Sequence, residues 1–151
     1  MTRVRVALYL TRGSGDGQEV LVFTQPDAPE AGSQIPAGGL NEGEDLTTAV
    51  IRECAEETGV ECISDLRALA IDQTPHSVTG EGRVTVFFHA KVGDDRLPGR
   101  WLHIVGGRDF DRGMRYECSF EPITQIGPKL ADGQGNHLSL VDSERPAGTH
   151  S

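Results

Sequence analysis

Between Asp45 and Thr58 the chain runs without a Gly or Pro and then meets Gly59, a strong stop signal for a helix. The apolar pattern of that helix is unusual. At about 100° per residue, Leu46, Ala49 and Val50 fall on one side, as a core-facing stripe should. Glu53, Glu56 and Glu57 fall on the same side, further along, at spacings that bring their carboxylates together. A solvated acidic face lies opposite an apolar stripe, not along it. Three such anions repel one another by on the order of several kcal/mol. They also crowd the C-terminal half of the helix, where the dipole disfavours negative charge. A hard divalent cation with oxygen ligands, Mg2+ with Mn2+ as a substitute, would relieve both penalties.

The segments around this helix read as strands. Residues 3–11 are rich in β-branched and aromatic side chains and end at the turn Arg-Gly-Ser-Gly-Asp-Gly; residues 19–25 follow and most simply pair with them. Residues 26–43 read as a loop rich in Pro, Ala and Gly, broken only by Ser33-Gln-Ile-Pro36. Further strands are expected at 66–72, 83–92, 100–105 and 114–123. A weak helix is expected at 125–130 or 136–141. These signals predict an α/β fold with a mixed sheet, one domain over residues 1–142 and a polar tail over 143–151.

Charge narrows the function. The 151 residues carry 23 acids and 14 bases, a net charge of −9. So acidic a chain is poorly suited to a nucleic-acid groove, which needs Lys and Arg against the phosphates. Phosphate-bearing substrates stay compatible if a metal supplies the positive charge. The opening Met1–Arg12 run is too short for a signal-peptide core, and no apolar stretch reaches membrane-spanning length. Cys54, Cys62 and Cys118 show no CxxC spacing, so free thiols in a cytoplasmic protein are expected.

Gly38, Glu44 and Arg52-Glu53-Cys54-Ala55-Glu56-Glu57-Thr58-Gly59-Val60 together resemble the Nudix box, Gx5Ex7REUxEExGU, with every fixed position in place. Cys54 stands where an aliphatic residue is usual, a small apolar replacement. The resemblance implies an α/β/α sandwich. It also implies a magnesium-dependent hydrolase cleaving the pyrophosphate of a nucleoside diphosphate joined to another group. Glu53, Glu56, Glu57 and the Gly38 carbonyl would be the metal ligands, with Glu44 and Arg52 paired to hold loop and helix in register.

The resemblance also implies a further acid, a metal ligand or general base, on a later loop or strand. Glu117 is the first choice, with Glu81, Asp109, Asp111 and Glu121 as rivals. Pro75, 15 residues beyond Val60, resembles a marker of the ADP-ribose branch. ADP-ribose-like sugar nucleotides therefore lead as substrates, with (d)NTP cleaning and a nucleotide-sensing, non-catalytic module as alternatives. The partner expected is a small nucleotide, with no membrane and no nucleic-acid groove; a homodimer is compatible with this. His76, His89 and His103 share no metal-ligand spacing and read as core or surface histidines. Phe23, Trp101, Tyr116 and Phe120 read as core, and Arg12, Arg83 and Arg112 as surface charges or phosphate contacts.

Overall fold

The computed structural model describes residues 2–93, 96–107 and 111–144. In chain order the elements are β1 (Arg3–Arg12), β2 (Glu19–Thr24), β3 (Ala37–Gly39), α1 (Leu46–Thr58), β4 (Ile63–Asp72), β5 (Arg83–Val92), β6 (Arg100–Ile104), β7 (Arg115–Pro122) and α2 (Ile123–Ile126). The strands form one mixed seven-stranded sheet of order β4-β5-β1-β2-β7-β6, with β3 paired to β1. Strand alternation sends Val6, Leu8 and Leu10 of β1 to one face and Ala7 and Tyr9 to the other, and all five are buried. The central strand is thus covered on both sides.

The hairpin of β1 and β2 is short. The two strands pair only at Thr11–Val20 and Arg12–Glu19. Beyond that point β1 takes β3 as its neighbour, with Arg5 opposite Gly39 and Val6 opposite Gly38. β2 instead runs along β7, and Phe23 bridges to Gln34. The sheet therefore forks, and the fork opens the cleft described below. The sequence hid β3 in the expected loop of residues 26–43, because Ala37-Gly38-Gly39 has no strand-forming side chain.

α1 covers one face, packing Ala49, Val50 and Cys54 on Val6, Leu8, Leu21, Val86 and Phe88. Each of the buried Val, Leu and Phe side chains among these contributes about 1.5–3 kcal/mol. Leu46 lies at the exposed start of the helix rather than in the stripe. Asp45 caps the N-terminus, its Oδ1 accepting from Thr48 N at 2.7 Å. Gly59 ends the helix at φ +81°, and a Cβ there would also meet His103 Nδ1 at 3.1 Å.

The other face is covered by Ile126, Leu130, Leu138 and Val141, packed on Tyr9, Val20, Val22 and Phe87. This completes the α/β/α sandwich, but not with the expected weak helix. α2 is a single turn, and 3-10 turns follow at Gly127–Lys129, Ala131–Gly133 and Leu138–Glu144. Gly127, Pro128, Gly133 and Gly135 all disfavour a continuous helix. Gly135 also sits so close to Gly127 that a Cβ would lie 2.3 Å from its carbonyl oxygen. β4 begins at Ile63, earlier than expected, because two register shifts against β5 break its alternation. Residues 145–151 of the expected tail lie outside the described residues. Among the described residues no helix is long and apolar enough to cross a membrane.

Candidate active site

The buried side of α1 carries acids as well as apolar groups. Glu53 and Glu57 are 2% and 5% exposed, values typical of core residues. Glu57 Oε1 accepts from Ala37 N at 2.8 Å, which ties the helix to β3. Asp111, in the turn before β7, is also buried; it accepts from the Tyr116 hydroxyl at 3.0 Å and lies beside Glu57. Burial and the neighbouring charges of Glu53 and Asp111 push the Glu57 carboxyl well above its ordinary value. Burial, with Glu57 and Asp111 beside it, also raises the Tyr116 hydroxyl. This part of the protein is short of positive charge.

Arg52 supplies the compensation within reach. Its Nε and Nη2 donate to Glu44 at 2.7 and 2.8 Å, and Nη2 also donates to Gly39 O at 2.9 Å. Nη1 donates to Glu53 at 2.8 Å and lies 3.2 Å from Glu56 Oε2. The loop, β3 and the helix acids are thus gathered on one guanidinium. Hydrogen bonds from Arg52 hold the Glu44 carboxyl down at about 2.

Two glycines make room for these acids. A Cβ on Gly38 would stand 2.2 Å from Glu53 Cδ, and one on Gly107 would stand 2.3 Å from Glu56 Cδ. Both carboxylates therefore lie against bare backbone. The C-terminal end of α1 is held just as closely. Trp101 Nε1 donates to Thr58 O at 2.8 Å, while His103 Nε2–H and Gly106 N donate to Glu56 O at 2.8 and 3.0 Å. Those donors offset the carbonyl ends that crowd the acids.

The donor set is all oxygen, with neither thiol nor imidazole, which suits a hard divalent ion such as Mg2+ or Mn2+ rather than Zn2+. Among the described residues no three acidic side chains already close into a ligand cage. Arg52 lies on Glu53 and Glu56 and carries the compensating charge there. By chemistry and by the space left at Gly38 and Gly107, the residues fit such an ion.

The cleft at the sheet fork has a volume of about 470 Å³, within the range of small-molecule sites. Gly38, Glu53, Glu57, Asp111 and Tyr116 line it, with Arg3, Arg5 and Arg83 on the same cleft. The structure gathers Gly38, Glu44, Arg52, Glu53, Glu56 and Glu57 but does not bring Glu117 to them. Glu117 sits on β7 between Tyr116 and Cys118, whose side chains enter the α1-side core, and pairs with Arg100. Strand alternation turns it to the other face. Asp111 holds the place beside Glu57 instead.

Glu121 lies near Arg100, Glu81 lines the cleft near Arg3, and Asp109 falls outside the described residues. His89 bonds Thr11 in the interior, and Phe23 stacks on Tyr116 at 4.1 Å within the core. Arg12 pairs with Glu19 and covers Phe120, so its role is in packing. Pro75 is exposed in the loop between β4 and β5, whose His76 and Thr79 line the cleft. Sequence reasoning missed Arg5 and Gly107; the Gly106-Gly107 pair ahead of β7 was the available sign of a close backbone approach.

The family model for the NUDIX domain matches residues 1–130. The chain belongs to the NUDIX family. Its NUDIX fold resembles the NUDIX domain of Shewanella oneidensis NrtR complexed with ADP ribose, at TM-score 0.70 and 16% identity over 95% of this chain and 88% of that one. It also resembles the MutT NUDIX hydrolase from Burkholderia pseudomallei, at TM-score 0.67 and 22% identity over 93% and 98%. In sequence, an RNA pyrophosphohydrolase of Caulobacter vibrioides is 51% identical over 45 residues, 30% of this chain and 26% of that protein. Nudix hydrolase 26, chloroplastic, of Arabidopsis thaliana is 39% identical over 62 residues, 41% and 26%. This NUDIX chain thus spans about a quarter of the length of the curated relatives it matches.

Proposed function

We propose that this NUDIX protein is a magnesium-dependent hydrolase that cleaves the phosphoanhydride of a nucleoside diphosphate joined to another group. One observation carries this reading: Glu53 and Glu57 are buried on the core side of α1, against β3, at the wall of a nucleotide-sized cleft. Buried acids with no structural need for one another are costly unless a cation is part of the design.

Glu53, Glu56 and Glu57, with the Gly38 carbonyl, would hold the ion. A divalent ion there would neutralise the diphosphate and lower the pKa of an attacking water. Arg52 fixes the orientation of Glu53 and Glu56 through Nη1, and Glu44 in turn fixes Arg52. Asp111 stands beside Glu57 with its other contact on Tyr116, placed to accept the water's proton at Oδ. The Tyr116–Phe23 stack and the β3 backbone close the site against the core, which strengthens every charge interaction inside.

ADP-ribose-like sugar nucleotides and nucleoside triphosphates are the substrate classes to compare first. A structural relative that holds ADP ribose favours the former. The test is incubation with Mg2+ and a panel of nucleoside triphosphates, nucleotide sugars and dinucleotides, with chromatographic identification of products. Mg2+-dependent release of a nucleoside monophosphate supports the hydrolase. Tight binding of one nucleotide without turnover of any would favour a sensor.

A further inference from the structure

Alternation along β1 sends Arg3 and Arg5 to the same face as Ala7 and Tyr9, and Arg83 shares the Phe87 face of β5. Parallel pairing of the two strands sets Arg3 directly opposite Arg83. All three arginines line the cleft that also holds Glu53 and Glu57. The cleft therefore has an acidic wall on α1 and a basic wall on β1 and β5.

The basic wall is neutralised only in part. Arg83 is 7% exposed; its Nη2 pairs with Asp132 at 2.7 Å and its Nε donates to Thr74 O at 3.1 Å. Its Nη1 is buried without a hydrogen-bond partner among the described residues. Arg3 approaches Glu81 only at 3.9 Å. Arg5 makes no side-chain hydrogen bond or ion pair among the described residues, although the chain carries a net charge of −9. Burial and the Arg83 charge hold the Arg5 guanidinium below its ordinary value. Asp132 keeps a left-handed φ of 57° while holding both Arg83 and the Ser77 backbone, so the arrangement is fixed from the C-terminal layer.

A half-buried arginine crowded by Arg83 and given no ion-pair partner among the described residues is an unfavourable way to build a wall that only has to be packed. Guanidinium groups donate and never accept, so the complementary ligand is rich in acceptors and negatively charged. We propose that Arg5, backed by Arg83, is a specificity-determining anion subsite, selecting nucleoside diphosphate derivatives whose far group carries its own phosphate or carboxylate. The substrate claim rests on the hydrolase reading of this cleft; the anion site itself does not.

Calorimetry with inorganic phosphate on the metal-free full chain tests the subsite. Phosphate should bind the wild type and bind Arg5→Gln at least about tenfold more weakly, with Arg5→Lys recovering part of the loss. Equal binding by Arg5→Gln, or displacement of phosphate by an uncharged nucleoside, would overturn it. Arg5→Gln should melt at or above the wild-type temperature because it removes a like charge from beside Arg83; a clear drop would mean that Arg5 is structural. In turnover, Arg5→Gln should lose roughly tenfold or more in kcat/KM on a nucleoside diphosphate sugar bearing a phosphate or carboxylate. It should spare the neutral-sugar counterpart, and equal losses on both would overturn the substrate claim. Arg5-dependent phosphate binding with no turnover of any compound would keep the subsite and end the hydrolase reading.

Discussion

Arg52 grips Glu44 with two parallel hydrogen bonds, Nε to Oε2 at 2.7 Å and Nη2 to Oε1 at 2.8 Å. The same guanidinium reaches Glu53 and Gly39, so this one pair sets where the loop before α1 sits relative to the helix acids. Replacing Glu44 with Gln should cost about 2 kcal/mol, the scale of hydrogen bonds to a charged partner. The carboxyl is held at about 2, below its ordinary 4.5. Its contribution is therefore complete above pH about 4.5 and is lost as pH falls toward 2. Urea melts should show the gap between wild type and Glu44→Gln at neutral pH and its narrowing at acid pH.

Gly38 and Glu53 make a second exacting contact. Gly38→Ala would put a Cβ 2.2 Å from Glu53 Cδ, so the carboxylate must leave its place. Mn2+ binding, followed by calorimetry, should weaken by about 10–100-fold, the range for disturbing a ligand's support. Unchanged Mn2+ affinity would mean that Glu53 can work from another position.

Asp111 and Glu117 separate the structural reading from the sequence-based one. Asp111→Asn should lower kcat by about 10²-fold or more, whereas Glu117→Gln, altering a partly exposed ion pair with Arg100, should stay within about twofold. The reverse order would restore Glu117 as the proton acceptor.

The contrast shows what one-dimensional pattern can carry. The helix, its stop at Gly59 and its acidic stripe were legible because helical geometry is local. β3 was not, since Ala37-Gly38-Gly39 is a strand only by virtue of β1 on one side and the acids on the other. Asp111 could not be ranked above Glu117 for a similar reason. Which acid meets Glu57 depends on how the turn before β7 folds back under Tyr116, a long-range fact. The forked hairpin was missed because two matching strands ordinarily pair along their length, and the competition from β3 and β7 is not encoded in either one.

Thiol chemistry offers an inexpensive check on the packing behind the site. Burial pushes Cys54 and Cys118 up to about 12, while Cys62 is exposed. A disulfide reagent near neutral pH should label Cys62 quickly and the other two only after denaturation. Rapid labelling of Cys54 would mean that α1 detaches readily from the sheet.

The most direct measurement is the rate of nucleoside monophosphate release from the preferred nucleotide, compared between wild type and Glu57→Gln with Mg2+ and with a chelator. The wild type should turn over only with the metal. Glu57→Gln should fall by about 10²–10⁴-fold while melting no lower than wild type, since it removes an acid crowded by Glu53 and Asp111. Turnover that persists in the chelator, or wild-type rates in Glu57→Gln, would contradict the claim that the buried acids of α1 are the metal-dependent centre.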